Sequence, residues 1–160
     1  MRKIAVIGAT IALATGTVGV VSAASATPAP SAMTPAQTLQ FDVVFSPFFA
    51  VDAKPKGLSK GDTSVFHDRL FSNGEAAGQQ GGTCVIVDLP TNPSEPIPVS
   101  CTVSIQLADG QVTAQGLTST APTKQLAITG GTGTYQNVGG QVTLVEFGNG
   151  QGSIRLDLVP

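Results

Sequence analysis

Asp68 is the first residue to weigh for chemistry. It stands two positions from both Phe66 and Leu70 in "VFHDRLF", and on an extended chain those three side chains share a face. A carboxylate on an apolar face is costly unless it is paired or opens into a wet cavity. In a cavity it could polarise a bound molecule or carry a proton; a structural pair with Arg69 or Arg155 is the plain alternative. His67 is the only histidine. Neighbouring strand residues point to opposite faces, so His67 and Asp68 cannot form a dyad. His67 is expected to be exposed, with a lone acid–base or ligand contact as the other reading. Ser–His–Asp hydrolysis would need a nucleophile elbow of the G-x-S-x-G kind, which the chain lacks.

Two further groups invite chemistry and lose it on inspection. The stretch "LAITGGTGTY", 126–135, looks like a phosphate-cradling loop. Counting from Gly131, the sixth position is Gln136 rather than glycine, no lysine follows, and "QNVGGQVTLVEF" continues as a strand rather than a helix. Its glycines are expected to supply positive φ and close backbone passage, making a tight crossing between strands. Cys84 and Cys101 are the only cysteines. A zinc site would need more Cys or His nearby, so neither a metal nor a cofactor is expected. A disulfide closing a 16-residue loop is the leading reading, contributing on the order of 3 kcal/mol.

The elements that position these residues read as strands. "LQFDVVF", "CVIVDL", "CTVSIQL", "QVTLVEF" and "SIRLDLV" alternate with period two, and no window of a dozen residues keeps a 3.6 period. Asp109-Gly110 and Asn149-Gly150 mark tight hairpins. Eight strands are expected, at 38–47, 63–71, 82–89, 99–107, 111–117, 124–129, 140–147 and 152–159. Such spacing suggests an all-β antiparallel barrel or a sandwich, and closure would remove exposed edges. The loop 90–98, with four prolines, and the loop 50–61 are expected at barrel mouths.

The first residues have a different character. Arg2 and Lys3 precede an apolar run from Ile4 to Val21 that ends in Ala24-Ser25-Ala26, the pattern of a cleaved signal peptide over 1–26. Residues 27–37 read as a disordered Pro/Ala/Thr-rich leader and 38–160 as the folded domain. Secretion is therefore expected, without a membrane anchor after cleavage. The remaining chain has six basic and ten acidic side chains, a net charge of −4 with the basic residues scattered, which argues against nucleic acid as a partner.

The glycine stretch, extended to "LAITGGTGTYQNVGGQVTL", resembles the signature near the end of the allene oxide cyclase and dirigent barrels. "GDTSVFHDRLFSNG", "GQQGGTCVIVDL" and "DGQVTAQG" resemble pieces upstream of it, in the same order. The resemblance implies an eight-stranded antiparallel barrel of lipocalin-like shape, often a homo-trimer or dimer, with a lumen for one small hydrophobic ligand. In the cyclases the lumen steers ring closure of a fatty-acid epoxide; in dirigents it orients phenoxy radicals. It places Asp42 where the cyclases carry a first-strand carboxylate and Asp68 where they carry an asparagine, making these two the candidate catalytic residues. Asp42 lies on the face opposite Leu39, Phe41, Val43 and Phe45, and either face of a small barrel can be the lumen. Val44, His67, Ser104 and Gln106 are the candidate ligand contacts. Cys84 falls at a lumen cysteine of the cyclases, unavailable for chemistry if it pairs with Cys101. Two departures stand out. The strand 99–107 has no tyrosine, and Gly139 occupies the position of the dirigent arginine; neither active constellation is complete. Tyr135 is expected to pack. The expected function is a secreted barrel that binds a small hydrophobic molecule and steers its cyclisation, isomerisation or coupling, with isomerase activity the leading enzymatic form. The alternative is a non-catalytic binding barrel.

Overall fold

The structure, a computed structural model, describes residues 37–160. The expected signal peptide, and all of the expected leader except Gln37, lie outside the described residues.

The strands are β1 (Gln37–Val44), β2 (Phe49–Val51), β3 (Thr63–Ser72), β4 (Glu75–Ile86), β5 (Pro98–Leu107), β6 (Gly110–Ser119), β7 (Thr123–Gly131), β8 (Gly139–Glu146) and β9 (Gln151–Val159). Every pairing is antiparallel, in the order β1-β9-β8-β7-β6-β5-β4-β3-β2, and β1 also pairs with β3, which closes the sheet into an eight-stranded barrel. The ninth strand, β2, resumes the course of β1 after a break at 45–48. β1 pairs with β3 at 69–71 and β2 at 63–65. The expected first strand, 38–47, thus ends at Val44, and β2 falls partly in the expected loop 50–61, where it takes up the same wall position.

Alternation of residue type fixes what faces in. On β5, Val99, Cys101, Val103, Ile105 and Leu107 are buried, while Ser100, Thr102, Ser104 and Gln106 are exposed. On β9 the buried set includes Ile154, Leu156 and Leu158. Burying each such aliphatic side chain stabilises the fold by roughly 1.5–3 kcal/mol. β4 departs from the expected 82–89 by starting at Glu75 and ending at Ile86. Its first half, "EAAGQQGG", has no apolar alternation because glycines occupy inward and outward positions alike. At Gly78 and Gly82 a Cβ would collide with the backbone carbonyls of Gln106 and Thr102 on β5, so glycine there permits the close passage of two strands. The β3–β4 turn uses Asn73 (φ 53°) and Gly74 (φ 82°), the left-handed pair that suits a two-residue hairpin.

The two ends of the barrel differ. The connections β1–β3, β4–β5, β6–β7 and β8–β9 all lie at one end, so both loops expected at a mouth share the same one. Asp62 fastens the long β1–β3 loop: its carboxylate accepts from the backbone N–H groups of Ala53 and Ser59, each at 2.8 Å, and from Ser59 Oγ at 3.0 Å. The hydrogen bonds from the Ser59 and Ala53 backbone hold its pKa below the ordinary value of 3.8. Lys60 of this loop pairs with Asp88 of the β4–β5 loop at 2.6 Å.

At the opposite end the glycine stretch is the strand crossing expected from the sequence. Thr132 N donates to Gln111 O at 2.8 Å and Thr134 N to Asp109 O at 3.0 Å. A Cβ on Gly131 would collide with the carbonyls of Gln111 and Tyr135, and one on Gly133 (φ 62°) with that of Asp109. The crossing lays Tyr135 into the core, where it is 7% exposed. Burial, aided by the Asp109 carboxylate, pushes its phenol pKa up and keeps it neutral. Tyr135 joins the hydrophobic core cluster with Ile105, Val112, Ile128 and Leu156, against which the partly buried Leu39 and Phe41 pack.

Candidate functional site

Toward the mouth loops the barrel is hollow. A cavity of about 490 Å³ opens between the mouth loops. Its wall is mainly apolar, with Phe45, Phe48, Phe66, Val99, Val103, Leu126, Val142, Leu144 and Ile154, and includes the Cys84–Cys101 disulfide. The two cysteines are register partners on β4 and β5, so the bridge links strands already paired by their backbones.

Asp68 lines this cavity and is 2% exposed. Inward alternation on β3, with Phe66 and Leu70 on the same side, places it there. Its register partner Gln80 on β4 is equally buried, and Gln80 Nε2 donates to Asp68 Oδ2 at 3.0 Å. The Ser46 backbone N–H donates to Oδ1 at 3.0 Å. The break between β1 and β2 supplies that donor, since Ser46 has left the ladder. The arginine pair considered for Asp68 does not form. Arg69 points outward, with its guanidinium 5.5 Å from the Phe71 ring centroid, and Arg155 pairs with Asp157 at 2.8 Å. A carboxylate has about four lone-pair positions; two protein donors leave Asp68 able to accept from a guest in the lumen.

The other predicted site residues stand elsewhere. Asp42 is exposed on the outer face of β1, beside Gln40, Ser72 and Asn73 in a shallow polar cleft. Val43 next to it is buried, and the inner face of β1 is therefore the one carrying Leu39, Phe41 and Val43. Val44 shares the outward side with Asp42. His67, Ser104 and Gln106 also face outward, each adjacent in sequence to an inward residue. His67 Nε2 lies 3.0 Å from Gln79 Oε1, and Gln79 Nε2 donates to Gln106 Oε1 at 2.7 Å, forming a polar ladder on the exterior. Period-two geometry separates all five side chains from the cavity, leaving Asp68 as the one candidate carboxylate that the barrel brings inside.

Several polar wall residues escaped the sequence reading, among them Ser64, Thr118, Ser119 and Thr120 with their hydroxyls, and three with an amide or a charge. Gln80 sits in the glycine-rich half of β4, where no pattern marks a face. Lys124 and Glu146 line the cavity near its mouth and pair at 2.7 Å. Their signal was present: Lys124 shares a strand face with Leu126 and Ile128, and Glu146 with Val142 and Leu144. The reasoning that singled out Asp68 selects them too.

A closed antiparallel barrel with one hollow end and a buried carboxylate on its wall defines the class. The chain belongs to the allene oxide cyclase barrel like domain family, which matches residues 49–155. Among solved structures it is similar to pyocyanin demethylase, at 28% identity over 76% of this chain and 99% of that one, with a TM-score of 0.69. It shares its fold with the pterocarpan synthase dirigent protein PsPTS1, at 18% identity over 80% of this chain and 96% of that one, TM-score 0.58. It also shares the fold of AbnU, an exo-specific intermolecular Diels-Alderase, at 14% identity over 79% of this chain and all of that one, TM-score 0.61. Comparison with curated proteins gives no match.

Proposed function

We propose that this protein is exported and takes a small hydrophobic molecule into its lumen, where it steers cyclisation, isomerisation or coupling. The observation that carries this reading is the open apolar cavity of about 490 Å³ with the Asp68 carboxylate buried on its wall. A guest confined by Phe66, Val103, Leu126 and Ile154 has few conformers left, and fixing orientation alone can lower a barrier substantially. Asp68 accepts a hydrogen bond from the guest, or takes a proton from it where the chemistry calls for a base. The demethylase, dirigent and Diels-Alderase barrels support the reading, because their names span three reactions on one fold. The disulfide supports export to an oxidising compartment. Assembly into a homo-dimer or trimer belongs to the same reading, and light scattering checks it.

A binding-only role is favoured by one observation. With Asp42 outside, Asp68 has no second carboxylate beside it in the deep part of the lumen among the described residues, and Glu146 is tied to Lys124 at the rim. Mass spectrometry of compounds extracted from natively purified protein, followed by return of each compound to the protein, separates the two. A bound compound recovered chemically altered supports steering, and one recovered intact supports sequestration. Absence of any guest, natural or added, would sink both.

A further inference from the structure

The hollow carries its charged and amide side chains on two opposed walls, besides the hydroxyls of Ser64, Thr118, Ser119 and Thr120. Asp68 and Gln80 stand on β3 and β4; Lys124 and Glu146 stand on β7 and β8. In the barrel order, β3 and β7 are four strands apart in either direction, as are β4 and β8. The two pairs therefore face each other across the lumen, with apolar Val103, Leu126, Val142 and Ile154 between.

The pairs differ in what they can still do. Asp68 and Gln80 are interior, and Asp68 retains acceptor capacity. The Lys124 side chain is 15% exposed and that of Glu146 is 40% exposed. Lys124 Nζ donates to Glu146 Oε1 at 2.7 Å and to the Ala121 carbonyl at 2.9 Å. An ammonium has three N–H donors, and among the described residues Nζ has these two acceptors. Lys124 lines the cavity, so the third N–H is open to a guest or to water there. A partly buried ammonium with one N–H not taken by the protein can give it to a guest in place of water.

We infer that the lumen selects an elongated apolar molecule with a hydrogen-bond donor at its inner end and a neutral carbonyl-type acceptor at its outer end. Asp68 takes the donor, a hydroxyl or an N–H. Lys124 meets the acceptor. Neutrality follows from Glu146, which already balances the ammonium and would repel a second anion. This inference rests on the lumen being the ligand site, and it adds which polar groups the ligand carries and where.

Four probes of one body size test it: 6-hydroxy-2-acetylnaphthalene, 2-naphthol, 2-acetylnaphthalene and naphthalene, with affinities read by equilibrium dialysis. The hydroxy ketone is expected to bind about tenfold more tightly than either singly substituted compound. The double variant Lys124→Met/Glu146→Leu removes the rim pair together, leaving no unpartnered charge. It should abolish the advantage conferred by the ketone and spare that conferred by the hydroxyl. Asp68→Ala, which removes the inner acceptor outright, should do the reverse, and Glu146→Gln, which keeps the ammonium, should retain the ketone's advantage. Equal binding of all four probes, or equal loss of all four in the double variant with its melting curve intact, would overturn the inference while leaving the lumen as a ligand site. If no probe enters the wild-type lumen, the ligand-site reading fails and this inference with it.

Discussion

Asp68 and Gln80 meet at 3.0 Å across the β3–β4 ladder, each only 2% exposed, on the wall of a cavity that is otherwise mostly apolar. The contact explains how a carboxylate can remain inside this barrel. Gln80 supplies one donor, and the backbone of Ser46, freed by the break between β1 and β2, supplies the other. Removing Asp68 leaves the buried Gln80 amide without its acceptor, while the Ser46 N–H, on an exposed residue, can turn to water. Asp68→Ala is therefore expected to destabilise the protein by about 1–3 kcal/mol, and Asp68→Asn by less because its carbonyl oxygen can still accept. Urea unfolding of the two variants checks the order; equal losses would assign the penalty to packing rather than to the unmet donor.

The exterior ladder should be silent in the lumen. His67→Ala, Ser104→Ala and Gln106→Ala are each expected to change stability by no more than about 0.5 kcal/mol and to leave probe affinity unchanged. A several-fold change in affinity in any of them would mean that these side chains reach the guest.

The glycine crossing should be intolerant at one position and tolerant at another. Gly131→Ala drives a methyl into the carbonyls of Gln111 and Tyr135, and is expected to lose roughly 1–3 kcal/mol. Gly148→Ala has positive φ (79°) but open space around it, and should lose only about 1 kcal/mol from backbone strain. Chemical denaturation of the pair measures the difference, and a ranking the other way round would refute the steric account.

Reduction of the disulfide tests how much the covalent link adds to an existing ladder. Cys84→Ser/Cys101→Ser is expected to lose about 3 kcal/mol, the loop-closure value for a separation of 17 residues. The barrel should stay folded because the β4–β5 backbone pairing is independent of sulfur. Far-ultraviolet circular dichroism and a denaturant midpoint read both parts.

The mouth loop should loosen in acid. The Asp62 carboxylate has a folded pKa below the ordinary 3.8, held there first by the Ser59 and then by the Ala53 backbone hydrogen bond. Its contribution is thus full above the ordinary carboxylate range and lost as pH falls below 3.8 through the depressed folded value. Hydrogen exchange at the Ala53 and Ser59 amides should accelerate in that window, and Asp62→Asn should weaken the dependence. Exchange independent of pH, after correction for intrinsic rates, would show that the loop is held by other contacts.

Much of this molecule was readable along the chain because a strand repeats every two residues, and that period is local. The alternation of β5 and β9, the hairpin at Asp109-Gly110, the glycine turn chemistry at 130–133 and the anomalous position of Asp68 all follow from neighbours a few residues away, and the disulfide from there being only two cysteines. Asp42 shows the boundary of such reasoning. Its own strand has two faces, and which of them becomes the inside depends on the direction in which the closed sheet curls, a property of all eight strands together. Gln80 shows another, for glycines on both sides of it erase the pattern that would mark a face. Only the closed barrel set Lys124 opposite Asp68, because residues 56 positions apart in the chain are brought across one lumen by the hydrogen-bond register between successive strands. Tertiary structure also decided that the lumen is left hollow toward the mouth loops, since the fit of side chains from different strands is written in no single stretch of sequence.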